Sequence, residues 1–295
     1  MILATGDARP ATPISALTLL RQPRKRPHLF LLRSLFSSSP AQLKLEVELE
    51  LGLGITELAG AAGTGKTQLA LALCVQAVTC KVVTVDDAPA SPQIYYKALY
   101  LSLGEGTTQT KLAQRLEQMV TAQQHPLGTL QRILIRMVRN QDEFLEMLRI
   151  DIPAMLQRQR FGIIVLDSIA GMFRLPDVMT DTTFVPQRSN TLFYVAAILQ
   201  RLSEHHPLPI LVINQVTASW ASKSDAVLPA LGLSWANCVT TSYMVCRSEP
   251  TTMSNKVSEV RRIVTVRQSA KIVTGTNHSF AIAAVGPILL HKTNR

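Results

Sequence analysis

Eight consecutive residues, Gly60-Ala61-Ala62-Gly63-Thr64-Gly65-Lys66-Thr67, carry the most specific chemistry in the chain. They fit G-x-x-x-x-G-K-[ST], the loop that wraps a phosphate between a strand and a helix. Three glycines let the backbone turn sharply and aim successive N–H groups at one anion. A helix beginning near Lys66 adds the positive end of its dipole. Lys66 has the charge and reach for terminal phosphates, and the Thr67 hydroxyl is an oxygen ligand for Mg²⁺. The flanks supply the context this chemistry needs: Ile55 to Ala59 read as a strand, and Gln68 to Val78 carry leucines and alanines at helical spacing.

A second constellation lies about a hundred residues on. Phe161-Gly162-Ile163-Ile164-Val165-Leu166 is a continuous apolar run that ends in Asp167-Ser168. An unbroken apolar run predicts a parallel strand covered on both faces. An aspartate at the end of such a strand suits the Mg²⁺ shell of a bound nucleotide, the role of a Walker B residue. Asp167 and Thr67 are therefore the candidate metal ligands.

These residues need a scaffold that brings strand ends together. Leu43 to Leu51 alternate apolar and charged, which predicts an edge strand or lead-in. Lys81 to Val85 form an apolar run followed by a loop, and Lys97 to Leu103 read as a strand ending at Gly104-Glu105-Gly106. Helical spacing is predicted for Leu112 to Ala122, Leu127 to Val138, Phe144 to Gln157 and Asn190 to Leu202. Pro209 to Gln215 form another buried strand. Three shorter runs, Val239 to Cys246, Arg262 to Ser269 and Ser279 to Val285, are separated by turn residues and predict an antiparallel extension.

Composition bounds the partners. The chain has 295 residues, 47% of them hydrophobic, enough to bury a full core. The net charge of +10 favours an anionic partner. Half of that excess sits in residues 1–40, where Arg9, Arg21, Arg24, Lys25, Arg26 and Arg33 face Asp7 alone. This segment reads as an organelle transit peptide, as a nuclear-import or nucleic-acid-binding cluster, or as a disordered tail. The folded unit is expected over 41–295. Cys74, Cys80, Cys238 and Cys246 show no C-x-x-C spacing, which fits reduced thiols better than zinc or disulfides. Cys74 is expected to pack as a small hydrophobe on the P-loop helix. Ala226 to Cys246 are uncharged, but Pro229, Gly232 and Asn237 argue against a membrane helix and for a loop followed by a buried strand.

Together these motifs resemble the RecA/RadA-type recombinases and, within them, the eukaryotic recombinase-paralogue branch. The resemblance is carried by Gly54 to Gly60 with Gly65 to Leu71, by Leu166 to Ala170 followed by Phe173-Arg174, by Ile213-Asn214-Gln215-Val216-Thr217, and by Pro229 to Asn237. It covers about residues 53–290. It implies an α/β fold, a mostly parallel sheet flanked by helices with an antiparallel C-terminal part. It implies ATP and Mg²⁺ held by Gly60, Ala61, Ala62, Gly63, Thr64, Gly65, Lys66, Thr67 and Gln68, with Asp167 near the metal. Gln215 matches the residue that senses the γ-phosphate and opens one DNA-facing loop. Arg174 matches the start of the other. Lys223, the only basic residue of the loop after Gln215, is the remaining candidate DNA contact, opposed by Asp225.

The implied function is ATP-binding DNA repair by homologous recombination in the nucleus. The partners would be single-stranded DNA, other RecA-like paralogue subunits in a hetero-oligomer, and a strand-exchange recombinase. Two departures bear on it. Hydrolysing family members carry a Glu after the second core strand, where an ungapped match puts Gly104 here and Glu105 one residue later; a one-residue slip turns a strand side chain to the other face. Weak ATPase activity is expected, with Glu105 the candidate catalytic carboxylate. Residues 1–52 also do not resemble the family's N-terminal helical DNA-binding domain. Two rivals follow: a non-hydrolysing assembly subunit, and a mitochondrial or plastid P-loop enzyme unrelated to DNA. The first would keep its partners after Lys66→Ala, and the second would show organellar import with a cleaved N-terminus.

Overall fold

A computed structural model of the chain describes residues 32–33, 46–47, 49, 51–79, 95–104, 108–173, 184–218, 227–248 and 260–290. The expected run Lys81 to Val85 and the residues Cys80, Glu105, Arg174, Trp220 and Lys223 lie outside them. A two-residue pairing of Leu32–Arg33 with Glu46–Val47 precedes the main body, and Leu49 and Leu51 are buried beyond it.

Strand β1 (Ile55–Gly60) leads through the P-loop into helix α1 (Lys66–Thr79). Strand β2 (Lys97–Leu103) and helix α2 (Gln109–Ala122) follow, and the Thr108 hydroxyl caps α2 by accepting from the Lys111 N–H. A 3₁₀ turn (Leu127–Arg132) then leads into β3 (Ile133–Val138). Next come α3 (Gln141–Glu146), a π-helical turn (Met147–Asp151) and α4 (Ile152–Arg158). After β4 (Phe161–Asp167), the short α5 (Ile169–Met172) and the long α6 (Phe184–His205) lead to β5 (Ile210–Asn214). A small ribbon of β6 (Val216–Ala218) and β7 (Val227–Pro229) stands beyond it. Helix α7 (Gly232–Ala236) and strands β8 (Thr241–Arg247), β9 (Arg262–Gln268), β10 (Asn277–Ala283) and β11 (Gly286–Leu290) close the chain.

Nine of these strands form one sheet in the order β11-β10-β9-β8-β1-β5-β4-β2-β3. From β8 to β3 all neighbours are parallel, and from β8 to β11 they are antiparallel. Side-chain alternation splits the core in two. Leu58, Tyr100, Val165 and Ile213 meet α1 and α2 on one face. Ile55, Leu101, Leu166 and Val212 meet α3, α4 and α6 on the other. Trp235 is fully buried on the second face, where α7 packs on α6.

The central strands match their sequence reading, and Lys97 to Leu103 form a strand with those bounds. Two expectations are corrected and one is refined. Leu127 to Val138 are not one helix: Leu127–Arg132 are 3₁₀-helical, and Ile133–Val138 are a strand. Ile133, Ile135 and Val138 favour a strand, and pairing of Ile133 with Ala98 through Val138 with Leu103 completes the parallel edge. The helix expected over Phe144 to Gln157 is present, running through α3, a π turn and α4; the π turn comes just before Pro153, which has no N–H to continue the α ladder. The C-terminal strands are four rather than three, and the first, β8, lies parallel to β1 before the antiparallel part begins. In Ala226 to Cys246, the expected loop contains β7 and α7, and the buried strand follows as β8. No helix among the described residues is long and apolar enough to cross a membrane.

Candidate nucleotide site

The strand ends Gly60, Leu103, Val138, Asp167 and Asn214 all lie at the carboxyl edge of the parallel sheet, where α/β proteins place ligands. The P-loop rises from this edge. A side chain at Gly60 would run into the carbonyl oxygen of Val245 on the neighbouring strand β8. At Gly63 and Gly65 the nearest obstacles are ends of flexible side chains, but φ values of +71° and +103° favour glycine there. Thr64 is buried and closes the loop by donating to the Ala61 carbonyl at 2.9 Å, while Ala61 and Ala62 are exposed. This curled backbone followed by the first turn of α1 is the cradle the motif predicts.

Lys66 is buried, and its ammonium donates to the carbonyls of Gly60 and Ala61, at 2.7 Å each. Burial pushes its pKa down, and the Asp167 carboxylate opposes that shift. An ammonium carries three donors, so one remains beyond these two carbonyls. Thr67 donates its hydroxyl to Asp167 Oδ2 at 2.7 Å, which joins the P-loop helix to β4. The two expected metal ligands are thus side by side, both hard oxygens of the kind Mg²⁺ takes.

Tyr100 donates its phenol to the same Asp167 Oδ2 at 2.5 Å. Its pKa is raised, first by burial and then by the neighbouring carboxylate, so the phenol remains a donor. Asp167 Oδ2 therefore takes two donors, while Oδ1 takes no hydrogen bond among the described residues. Sequence reading missed Tyr100. The sequence signal was limited to Tyr100 and Ser102 as alternate polar positions of β2; the pairing of Ser102 with Asp167 comes from the register of the sheet.

Two cavities flank the loop and share Gly63, Lys66 and Thr67. One, of 600 Å³, contains Tyr100, Gly104, Arg139, Asp167 and Gln215. The other, of 690 Å³, contains Gln68, Leu71, Arg115, Arg262 and Ile282. Both volumes fall in the range of roughly 300–1,000 Å³ usual for small-ligand sites. Arg115 ties the second cavity together, because its guanidinium donates to Gln68 Oε1 (2.6 Å), Ala283 O (2.6 Å) and Ala284 O (3.0 Å). Arg247 donates to Gly63 O at 3.1 Å, and Arg262 holds a buried Nε with no partner among the described residues. Burial and the nearby Arg247 lower the pKa of Arg262. Sequence reading missed these arginines too, since they come from α2 and the C-terminal strands.

Of the remaining expected residues, Gln215 follows β5 and reaches the 600 Å³ cavity. Asn214 serves the sheet instead. Its amide donates to the buried Glu57 at 2.8 Å, and Ser242 donates to the other Glu57 oxygen at 2.7 Å, linking β1, β5 and β8. Cys74 is buried on α1, where burial pushes its thiol pKa up.

Residues 44–286 match the family model described as Rad51. The chain is 31% identical to the DNA repair protein XRCC3 of Bos taurus over 211 residues, covering 66% of this chain and 57% of that protein. It is 24% identical to the DNA repair protein RAD51 homolog 4 of Bos taurus over 238 residues, 78% of this chain and 65% of the relative. The chain thus spans little more than half the length of the XRCC3 relatives it matches. The crystal structure of the RadB recombinase superimposes with a TM-score of 0.55 at 18% identity, covering 81% of this chain and 91% of that one. This places the fold among the RecA-like recombinases.

Proposed function

The chain belongs to the Rad51 family, and on that premise we propose that it is an ATP-binding recombinase paralogue acting in DNA repair by homologous recombination. The observation that carries the reading is the junction of Thr67 and Asp167 beneath the P-loop, inside the matched region. Gly60 to Gln68 would cradle the phosphates, with Lys66 turning from the loop carbonyls toward them. Thr67 and Asp167 would hold Mg²⁺, which supplies positive charge to the phosphate oxygens when bound. Gln215 would read the terminal phosphate. Residues 41–295 form the ATP-binding core in this reading, and residues 1–40 a basic segment.

Arg174 and Lys223 are proposed contacts for single-stranded DNA. The further partners are other RecA-like paralogue subunits, in a hetero-oligomer that assists a strand-exchange recombinase in the nucleus. ATP then acts chiefly as a ligand that stabilises one arrangement of subunits by differential affinity. Slow hydrolysis is favoured by Gly104, which brings no carboxylate to the cavity wall. The test is binding of Mg²⁺-ATP and of single-stranded DNA by the full chain across a salt series, with and without Lys66→Ala. ATP-dependent DNA affinity that falls with salt supports the reading, and its slope counts the phosphate contacts. ATP binding with no DNA binding at low salt would move the DNA contact to a partner subunit.

A further inference from the structure

The cavity beside Asp167 holds a cation that neither the P-loop motif nor the family resemblance accounts for. Arg139 immediately follows Val138, the last residue of β3, and lines the same 600 Å³ space as Lys66, Thr67, Asp167 and Gln215. Its backbone is well anchored. The Gly104 N–H donates to the Val138 carbonyl at 2.8 Å, and the Arg139 N–H donates to Glu143 Oε2 at 2.9 Å. Asn140, the N-cap of α3, accepts from the Glu143 N–H at 2.9 Å. A strand end and a capped helix therefore hold the Cα of Arg139 from both sides.

The side chain is exposed, and its guanidinium makes no hydrogen bond or ion pair among the described residues. The wall next to it is open: at Gly104 even an added Cβ would find its nearest neighbour, Met172 Cε, 3.7 Å away. Among the described residues of this cavity, Asp167 is the lone acid, set against Lys66 and Arg139. A guanidinium is a planar fork of donors that matches phosphate oxygens.

We propose that Arg139 is a specificity-determining residue of the nucleotide site, whose guanidinium takes an oxygen of the terminal phosphate of a bound nucleoside triphosphate. The site then tells triphosphate from diphosphate within a single subunit. The proposal rests on the nucleotide-binding reading given above. Its energetic logic joins Arg139 to Gly104. A cation that binds the triphosphate as found improves affinity without raising turnover, and Gly104 offers no carboxylate to orient water. The pair suits a site that holds its nucleotide.

The test compares equilibrium binding of Mg²⁺-ATP, the Mg²⁺ complex of adenylyl imidodiphosphate, and Mg²⁺-ADP to the full chain. The variants are Arg139→Ala, Arg139→Lys and Lys66→Ala. Arg139→Ala is expected to weaken both triphosphates about tenfold, the scale of one charge-assisted contact, and ADP by less than about twofold. Arg139→Lys should fall between, and the urea midpoint of the nucleotide-free chain should stay in place. Should Arg139→Ala fail to fold, Arg139→Gln carries the same comparison. Equal losses for ATP and ADP, or none, while Lys66→Ala abolishes binding, would overturn the role of Arg139 and leave the nucleotide site standing. Absence of nucleotide binding by the unaltered chain, or binding indifferent to Lys66→Ala, would overturn both.

Discussion

The two cavities beside the P-loop share three residues but are built by different parts of the molecule. The 600 Å³ cavity is made from the carboxyl ends of parallel strands, and beyond the shared Lys66 and Thr67 its polar groups are Tyr100, Ser102, Arg139, Asp167, Ser168 and Gln215. The 690 Å³ cavity is made from α1, α2 and the antiparallel strands, and it mixes Leu71, Leu112 and Ile282 with arginines. The first needs only that neighbouring strands end at the same edge, which parallel pairing ensures. The second needs a C-terminal hairpin to be carried back over α1, and Arg115 secures it there by reaching residues 168 and 169 positions away. The residues proposed for phosphate and metal therefore sit on the strand-end side, and the larger, partly apolar wall depends on a tertiary clasp.

The strongest test strikes what the cavities share. Lys66→Ala should lower the affinity for ATP and ADP alike by about a hundredfold, since it removes the one buried cation of the loop. Isothermal titration checks it, and loss for only one nucleotide would mean that Lys66 serves one cavity. Arg115→Ala should act on the hairpin side alone. Removal of its four hydrogen bonds should cost roughly 1–3 kcal/mol of stability, discounted because the guanidinium is partly exposed. Hydrogen exchange should then quicken in Asn277–Ala283 and Gly286–Leu290 while β4 stays protected. Equal quickening in β4 would show that the two walls are not independent. Asp167→Asn should act on the other side, lowering Mg²⁺-ATP affinity about tenfold while leaving magnesium-free binding nearly unchanged.

The smallest effect lies in the alkaline range. The pKa of Tyr100 is raised above its ordinary value of 10.0, so the folded chain keeps a proton that the unfolded chain gives up. This contribution to stability is complete below pH 10 and is lost as pH rises through the folded value. Lys66 works with the opposite sign, because its pKa is lowered from 10.5: its penalty is full below the folded value and relieved as pH rises toward 10.5. Tyr100→Phe should therefore make the urea midpoint fall less steeply above pH 10 than in the unaltered chain. An unchanged slope would mean that Tyr100 does not govern that limb.

Legibility followed sequence distance. The P-loop, its flanking strand and helix, and the aspartate ending β4 were readable because motif and period act within a few residues. Asn214 and Gln215 were readable as a strand end, yet their division of labour was not, since it depends on Glu57, buried on β1 between β5 and β8. The run Leu127 to Val138 was misread because its leucines and isoleucines suit either period. What decides it is the free edge of Lys97–Leu103, to which no local pattern points. The strand Gly286–Leu290 escaped notice for a similar reason, as only its pairing with Asn277–Ala283 makes it a strand.

The sequence by itself determined the cradle: glycines where the backbone must turn or approach Val245, Lys66 and Thr67 at the start of a helix, and an aspartate after six apolar residues. Those choices are local, because backbone conformation and hydrophobic period are properties of neighbouring residues. Only the tertiary structure decided that Tyr100 shares an oxygen of Asp167 with Thr67, that Arg115 holds the hairpin over α1, and that Arg139 lines the same cavity as Asp167. These are meetings of side chains from separate strands and helices. Strand order and register create them, and both emerge when the sheet assembles rather than from any single stretch of chain.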